Sequence, residues 1–182
     1  QQVGQELYYD VVTNRGATTL VQGTIVSIDT TQVVQGNRFR VVKSNGDGSE
    51  PAKLILGMLT MDIGANQTGF CTYFGMVRTL SISELEAHDQ KDIAETWAEG
   101  DILWLHPSAS YKGGMTNVEP NAPNLKIPCA VIKKLNGDDL TVFVRFGNTS
   151  SLNDIHDVRT FNPATLPDGY VLRWNGTGKY AE

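Results

Sequence analysis

The sequence predicts an all-β protein: an antiparallel β-sandwich or barrel domain over residues 1–150, followed by an extended segment over 151–182. Three observations carry that reading. Short apolar, β-branched runs are cut again and again by Gly, Asn and Asp, the texture of strands joined by tight turns. One pair of runs flanks Asn136-Gly137, the strongest short-range hairpin signal. The alternation of strands with amphipathic helices that marks a parallel-sheet enzyme is missing.

The elements follow in order. Tyr8-Tyr9-Asp10-Val11-Val12 reads as a strand leading to the turn Asn14-Arg15-Gly16. Thr18-Thr19-Leu20-Val21 runs to Gly23, and Thr24-Ile25-Val26-Ser27-Ile28 follows, with Ile25, Val26 and Ile28 as β-formers. Arg38-Phe39-Arg40-Val41-Val42-Lys43 alternates in part and meets the turn cluster Ser44-Asn45-Gly46-Asp47-Gly48. Lys53 to Thr60 is apolar, and Gly57 inside it marks a bulge or a close backbone approach. Gly69 to Val77 reads as a strand pair or one bent strand, and Asp101 to Leu105 as a strand ending at His106-Pro107. The hairpin joins Cys129–Leu135 to Leu140–Phe146, for a total of about eight to ten strands. One short surface helix is expected near Ser83-Glu84-Leu85-Glu86, which has Ser-x-x-Glu capping spacing. Ile93 and Trp97 lie four residues apart before Gly100, but Ala87 to Asp92 offers no apolar stripe.

Composition bounds the function. Of 182 residues, 40% are hydrophobic, which is too many for a disordered chain. The net charge is −5, and the 15 Lys and Arg are scattered in ones and twos, such as Arg38/Arg40 and Lys133/Lys134. Phosphate backbones need clustered cations, so nucleic acid is not an expected partner. No apolar run approaches the ~18 residues of a membrane span, so membrane insertion is not expected. The start Gln1-Gln2-Val3-Gly4-Gln5-Glu6 carries no signal-peptide pattern, and the chain reads as a segment of a longer polypeptide. After Asn148-Thr149-Ser150 apolar residues thin out and turn residues multiply, including Pro167-Asp168-Gly169 and Asn175-Gly176-Thr177-Gly178.

No catalytic or cofactor-binding set stands out, so no catalytic residue, cofactor or metal ligand is assigned. His88, His106 and His156 are isolated, without partners at metal-ligand spacing. Nucleophile-elbow, phosphate-loop and His-Glu-x-x-His patterns are absent. Asn45 to Glu50 offers several oxygens but not the spacing of an EF-hand, and reads as a turn. The acidic pairs Asp138/Asp139 and Glu84/Glu86 fall in a hairpin tip and a helix start, where local reasons for negative charge suffice. Cys71 and Cys129 sit in apolar contexts and read as buried thiols. Tyr8, Tyr9, Tyr73, Trp104, Tyr111, Tyr170 and Trp174 suit core or subunit contacts, with a sugar-binding groove as the alternative.

Two stretches carry a resemblance. Val11-Val12-Thr13-Asn14-Arg15-Gly16-Ala17-Thr18-Thr19-Leu20-Val21-Gln22-Gly23-Thr24-Ile25-Val26 is similar to the opening of a β-domain of bacteriophage fibre and related virion proteins. Leu56–Ile63, Gly69–Val77, Glu99–Leu105, Gly114-Met115-Thr116 and Pro120 to Pro123 continue it in a similar order. Leu152-Asn153-Asp154-Ile155-His156-Asp157-Val158, then Pro167-Asp168-Gly169-Tyr170-Val171-Leu172-Arg173-Trp174-Asn175-Gly176-Thr177-Gly178-Lys179-Tyr180, resembles a segment of phage tail fibres where three chains wind about one axis. Tyr180 stands where that family usually has Trp, and Ser81 to Thr96 is longer than its usual connection.

The resemblance implies a structural virion component: a homotrimeric tail fibre or fibre-anchoring protein, assembled in the host cytoplasm, acting mechanically rather than as an enzyme. The residues themselves agree, since the thinly spread apolar side chains after 150 must lie on the first domain or on copies of themselves, and three-fold packing would bury them. The expected trimer interface is Leu152, Ile155, Val158, Val171, Leu172 and Trp174. Expected partners are further copies of the chain, other virion proteins, and a host surface glycan. The alternatives are a capsid decoration or head-fibre protein and, from a different class, a carbohydrate-binding or carbohydrate-active domain.

Overall fold

The computed structural model describes residues 9–31, 34–35, 38–121, 124–147, 173–174 and 180–181. Its chain divides into two units, Gln1–Asn148 and Thr149–Glu182. The first is all-β and has two layers. Strands β1 (Tyr9–Asn14), β2 (Ile25–Ile28), β3 (Val34–Gln35), β4 (Arg38–Lys43), β5 (Ile55–Leu59) and β6 (Thr68–Thr72) make one sheet in the order β1-β6-β5-β2-β4-β3. An additional β1–β4 pairing, Val12↔Phe39 to Asn14↔Val41, closes five of these strands into a barrel. That pairing is parallel, so the barrel departs from the purely antiparallel arrangement expected; a ring with an odd number of strands cannot have every neighbour antiparallel.

Strands β7 (Phe74–Ser81), β8 (Ile102–Leu105), β9 (Met115–Thr116), β10 (Pro128–Asn136) and β11 (Asp139–Arg145) form an antiparallel sheet in the order β7-β11-β10-β8-β9. Gly69 to Val77 is therefore two strands in different sheets, with Tyr73 at the corner where the chain changes layer. Thr18 to Val21 contributes only an isolated bridge, Leu20↔Ile63.

Strand alternation explains how both layers are filled. Adjacent residues point to opposite faces, yet Ile25 and Val26 are both fully buried, as are Met58 and Leu59. Val26 and Leu59 join Val12, Leu20, Val41, Ile63 and Cys71 inside the barrel. Ile25 and Met58 point out of it into the second core, with Val77, Leu80, Leu103, Leu105, Met115, Ile132, Leu140, Val142 and Val144. Each such large side chain contributes about 1.5–3 kcal/mol relative to exposure.

Polar groups tie the loops to these cores. Asn14 is fully buried; its Nδ2 donates to the carbonyls of Thr18 (2.8 Å) and Ile63 (2.9 Å), and its Oδ1 accepts from Gly16 N–H (2.8 Å). The Asn-x-Gly turn read from sequence thus pins two loops at the barrel end. Gly57 opposes Val26 at a register shift, and a Cβ on it would lie 2.5 Å from the Thr72 carbonyl oxygen. It marks both a bulge and a close approach.

Helix α1 (Ile82–Ala87) is capped by Ser81, two residues earlier than the expected Ser83; the Ser81 hydroxyl accepts from Glu84 N–H (3.1 Å). It ends in a Schellman motif without glycine: Asp89 takes φ of 56°, Gln90 N–H donates to Leu85 C=O and Asp89 N–H to Glu86 C=O. Ile93, 79% exposed, and Trp97, buried, lie beyond it in the connection to β8. That connection is held by Lys91, which is buried. Its Nζ reaches the Glu86 carboxylate at 2.7 Å and the carbonyls of Asp92 (3.0 Å) and Glu95 (2.8 Å).

In the second unit, β12 (Arg173–Trp174) pairs antiparallel with β13 (Tyr180–Ala181). Of the expected trimer-interface residues, Leu152, Ile155, Val158, Val171 and Leu172 lie outside the described residues, and only the backbone of Trp174 is described.

Candidate functional site

The β7-β11-β10-β8-β9 sheet buries one face against the barrel and leaves the other outward. The register places four apolar side chains in a row across the outward face: Met76↔Phe143, Phe143↔Val131 and Val131↔Ile102. At the usual strand spacing the row spans roughly 14 Å between its outer strands. Ile102 is 47% exposed and Phe74, edge-on to Phe143 with ring centroids 5.1 Å apart, is 40% exposed. Phe70 and Tyr73 are likewise exposed.

Toward the hairpin end of β11, the next outward residue is Thr141. Here both neighbouring strands bulge. Against Val142 and Leu140 of β11, β7 sets Val77 and Leu80, so Arg78 and Thr79 share the place opposite Thr141. On the other side β10 pairs Ile132 with Val142 and Lys134 with Thr141, so Lys133 is the extra residue. Bulges re-aim side chains, and these two leave Arg78, Thr79, Lys133 and Lys134 all exposed around Thr141. Thr79 has φ of 56°, a strained conformation for a β-branched residue.

The result is an open groove of about 600 Å³ lined by Met76, Arg78, Thr79, Glu99, Lys133, Lys134, Asp139 and Thr141. Glu99 is anchored, its Oε1 accepting from Leu135 N–H at 3.0 Å. Among the described residues Arg78, Lys133 and Lys134 form no ion pair. The groove therefore offers three unpaired cations, two carboxylates, two hydroxyls and one thioether.

The residues singled out from sequence go elsewhere. Asp138 is part of the α1 cap: its carboxylate accepts from Ser81 Oγ (2.6 Å) and Ser83 N–H (2.7 Å), and these bonds lower its pKa. Only Asp139 of that pair faces the groove. Gly137, with φ of 59°, takes the first central position of the hairpin turn because Asn136 pairs with Asp139. Asn136 is thus a strand residue and not half of an Asn-Gly turn.

The side chains of Asp47, Ser49 and Glu50 accept hydrogen bonds within the turn, whereas Asn45 Oδ1 is buried without a hydrogen-bond partner. Asp47 accepts from Ser49 N–H (2.8 Å) and Asn45 Nδ2 (2.9 Å), and bonding to Ser49 lowers its pKa. His106 is buried, which lowers its pKa; its Nδ1 accepts from Ser108 N–H (3.1 Å), and Tyr111 packs on its ring with centroids 4.4 Å apart. His88 is exposed at the α1 C-terminus, and His156 lies outside the described residues. Trp104 lies on β8 under Lys126 Nζ, 5.7 Å from the ring centroid. Both cysteines are free and buried; burial pushes Cys71 up to about 12 and raises Cys129 as well.

Among the described residues, no group of three or more His, Cys, Asp or Glu side chains is placed to hold a metal ion. No helix among them is long and apolar enough to cross a membrane. The groove itself was missed in the sequence, although its signal was there. Lys133-Lys134 puts two exposed charges in succession, and Val77 and Leu80, both core residues, are three apart. Each is a slip in period-two alternation, which is how a bulge appears in a sequence. The sequence matches no protein-family model and no curated protein.

Proposed function

We propose that this chain is a structural component of a bacteriophage particle, a homotrimeric tail-fibre or fibre-anchoring protein. The observation that carries the reading is the apolar row Met76–Phe143–Val131–Ile102, with Phe74 beside it, on the outside of an already filled fold. Exposed apolar surface of this kind marks an interaction site. The sparse apolar residues of 151–182, Leu152, Ile155, Val158, Val171, Leu172 and Trp174, support it from the sequence, since three copies about one axis would cover them.

In this reading the partners are copies of the chain, neighbouring virion proteins, and a host surface glycan. The protein acts in the virion after assembly in the host cytoplasm. It works mechanically: stiff β-structure and avidity from three copies, with no chemical step. Light scattering on the full chain is expected to give three times the chain mass, and a monomer at micromolar concentration would refute the fibre. Deleting residues 151–182 is expected to yield a monomer or a weaker trimer. An unchanged trimer would move the interface into the first unit.

A further inference from the structure

We propose that the groove around Thr141 binds a carboxylate-bearing sugar unit, of the uronic or sialic acid kind, within an acidic polysaccharide. Three features of the groove lead there. The first is that it is built by a paired irregularity: bulges on β7 and β10 flank the same residue of β11 from both sides. A regular sheet would have sent one of Arg78 and Thr79, and one of Lys133 and Lys134, toward the core face. Strain accompanies the arrangement at Thr79, and strained backbone concentrates where a surface serves a purpose.

The second feature is charge. Arg78, Lys133 and Lys134 converge without an ion pair among the described residues, although the chain as a whole carries −5. Three cations against Glu99 and Asp139 leave a surplus of one positive charge, which matches the single carboxylate of one sugar unit and not a phosphate dianion.

The third is the hydrogen-bonding inventory. Glu99 and Asp139, when ionised, only accept; a ligand that satisfies them must bring donors. Sugar hydroxyls are donors, whereas the side chains of an acidic peptide are further acceptors. Thr141 can do either; Thr79, whose hydroxyl donates to the Arg78 carbonyl at 2.6 Å, can accept; and Met76 provides an apolar contact for a ring face. The volume, about 600 Å³, lies within the roughly 300–1,000 Å³ of small-ligand sites.

The inference takes up the glycan contact of the proposed function but depends on neither the trimer nor the virion. A monomeric chain that binds such a sugar would sink the fibre and keep the groove.

Calorimetric titration of the full chain tests it, using trigalacturonate, a glucuronate trisaccharide and sialyllactose. At least one is expected to bind, and its carboxyl methyl ester, which keeps the hydroxyls and loses the charge, to bind at least about tenfold more weakly. Arg78→Gln and Lys134→Gln are each expected to weaken binding about tenfold, the loss of one charge-assisted hydrogen bond. Arg145→Gln removes the same charge from an exposed position of β11 outside the groove lining, and is expected to leave affinity within about twofold. Failure of all three sugars to bind overturns the inference. So does an ester that binds equally well, an Arg145→Gln loss as large as that of Arg78→Gln, or displacement of the sugar by inorganic phosphate or hexaglutamate at lower concentration than free sugar.

Discussion

Replacing Gly57 by alanine is expected to destabilise the corner where the chain passes from the barrel to the second sheet. Gly57 lies in β5 opposite Val26, and the chain leaves β6 over it through Thr72 and Tyr73 to begin β7. A Cβ at position 57 would stand 2.5 Å from the Thr72 carbonyl oxygen, 2.9 Å from its carbon and 3.3 Å from Tyr73 N. Close carbon–oxygen contacts begin near ~3.3 Å. The overlap of about 0.8 Å is against backbone atoms, which cannot rotate away as a side chain would. Relief requires β6 to shift against β5, and the pairs Met58↔Thr72 and Leu59↔Cys71 oppose that shift. Met58 and Leu59 are fully buried, one in each core, so the disturbance reaches both layers.

Overpacking of this kind costs about 1–3 kcal/mol. Alanine offsets about 0.4–1 kcal/mol by restricting the unfolded chain. From the midpoints, a net loss of about 1.3 kcal/mol remains, and for a chain of this size that lowers Tm by roughly 4 °C. Thermal unfolding followed by far-ultraviolet circular dichroism reads the shift. Gly57→Val sharpens the test, because valine favours strands more than alanine does and only the steric term makes it the worse residue. A Gly57→Ala protein melting at or above the wild-type temperature, or a Gly57→Val protein more stable than Gly57→Ala, would refute the argument.

Four further outcomes are expected. Lys91→Ala removes the donor that holds Glu86 and the carbonyls of Asp92 and Glu95, and urea unfolding should report a loss of about 3 kcal/mol; a loss under about 1 kcal/mol would mean water replaces it. Thr79→Gly relieves a positive φ and should raise stability by about 1 kcal/mol, a gain that is absent if the bulge is unstrained. Burial lowers the pKa of His106 against the opposing pull of Glu95 and Asp92, so the folded state binds the proton less tightly than the unfolded chain. Its contribution is complete above the ordinary value of 6.5 and is lost as pH falls through the lower folded value, and His106→Asn should flatten that part of the stability–pH curve. Cys71 and Cys129, buried with raised pKa values, should resist alkylation at neutral pH until urea unfolds the chain; rapid labelling of the native protein would show that a cysteine region opens.

Much of the fold was legible because it rests on local chemistry. β4, Arg38–Lys43, coincides with the alternating run read from sequence, and β10 and β11 with the hairpin around Asn136-Gly137, since period-two patterning and turn residues act within a few positions of each other. The short helix was legible as a capped start without a stripe, though its cap fell two residues early, because Ser81 and Ser83 have equal capping chemistry and only Asp138, brought from the hairpin, secures that end of the helix. Gly57 was readable as exceptional, but not which backbone approaches it.

By itself the sequence determined that this protein is built of short strands and that its cysteines are buried. Only the tertiary structure decided that β1 pairs parallel with β4 to close a barrel, that the stretch after Gly69 divides between two sheets, and that Arg78 and Lys134 meet across Thr141. The physical reason is separation along the chain. Side-chain alternation says which way a residue faces from its own strand, whereas pairing between residues such as 78 and 134 depends on which strands the whole core brings side by side.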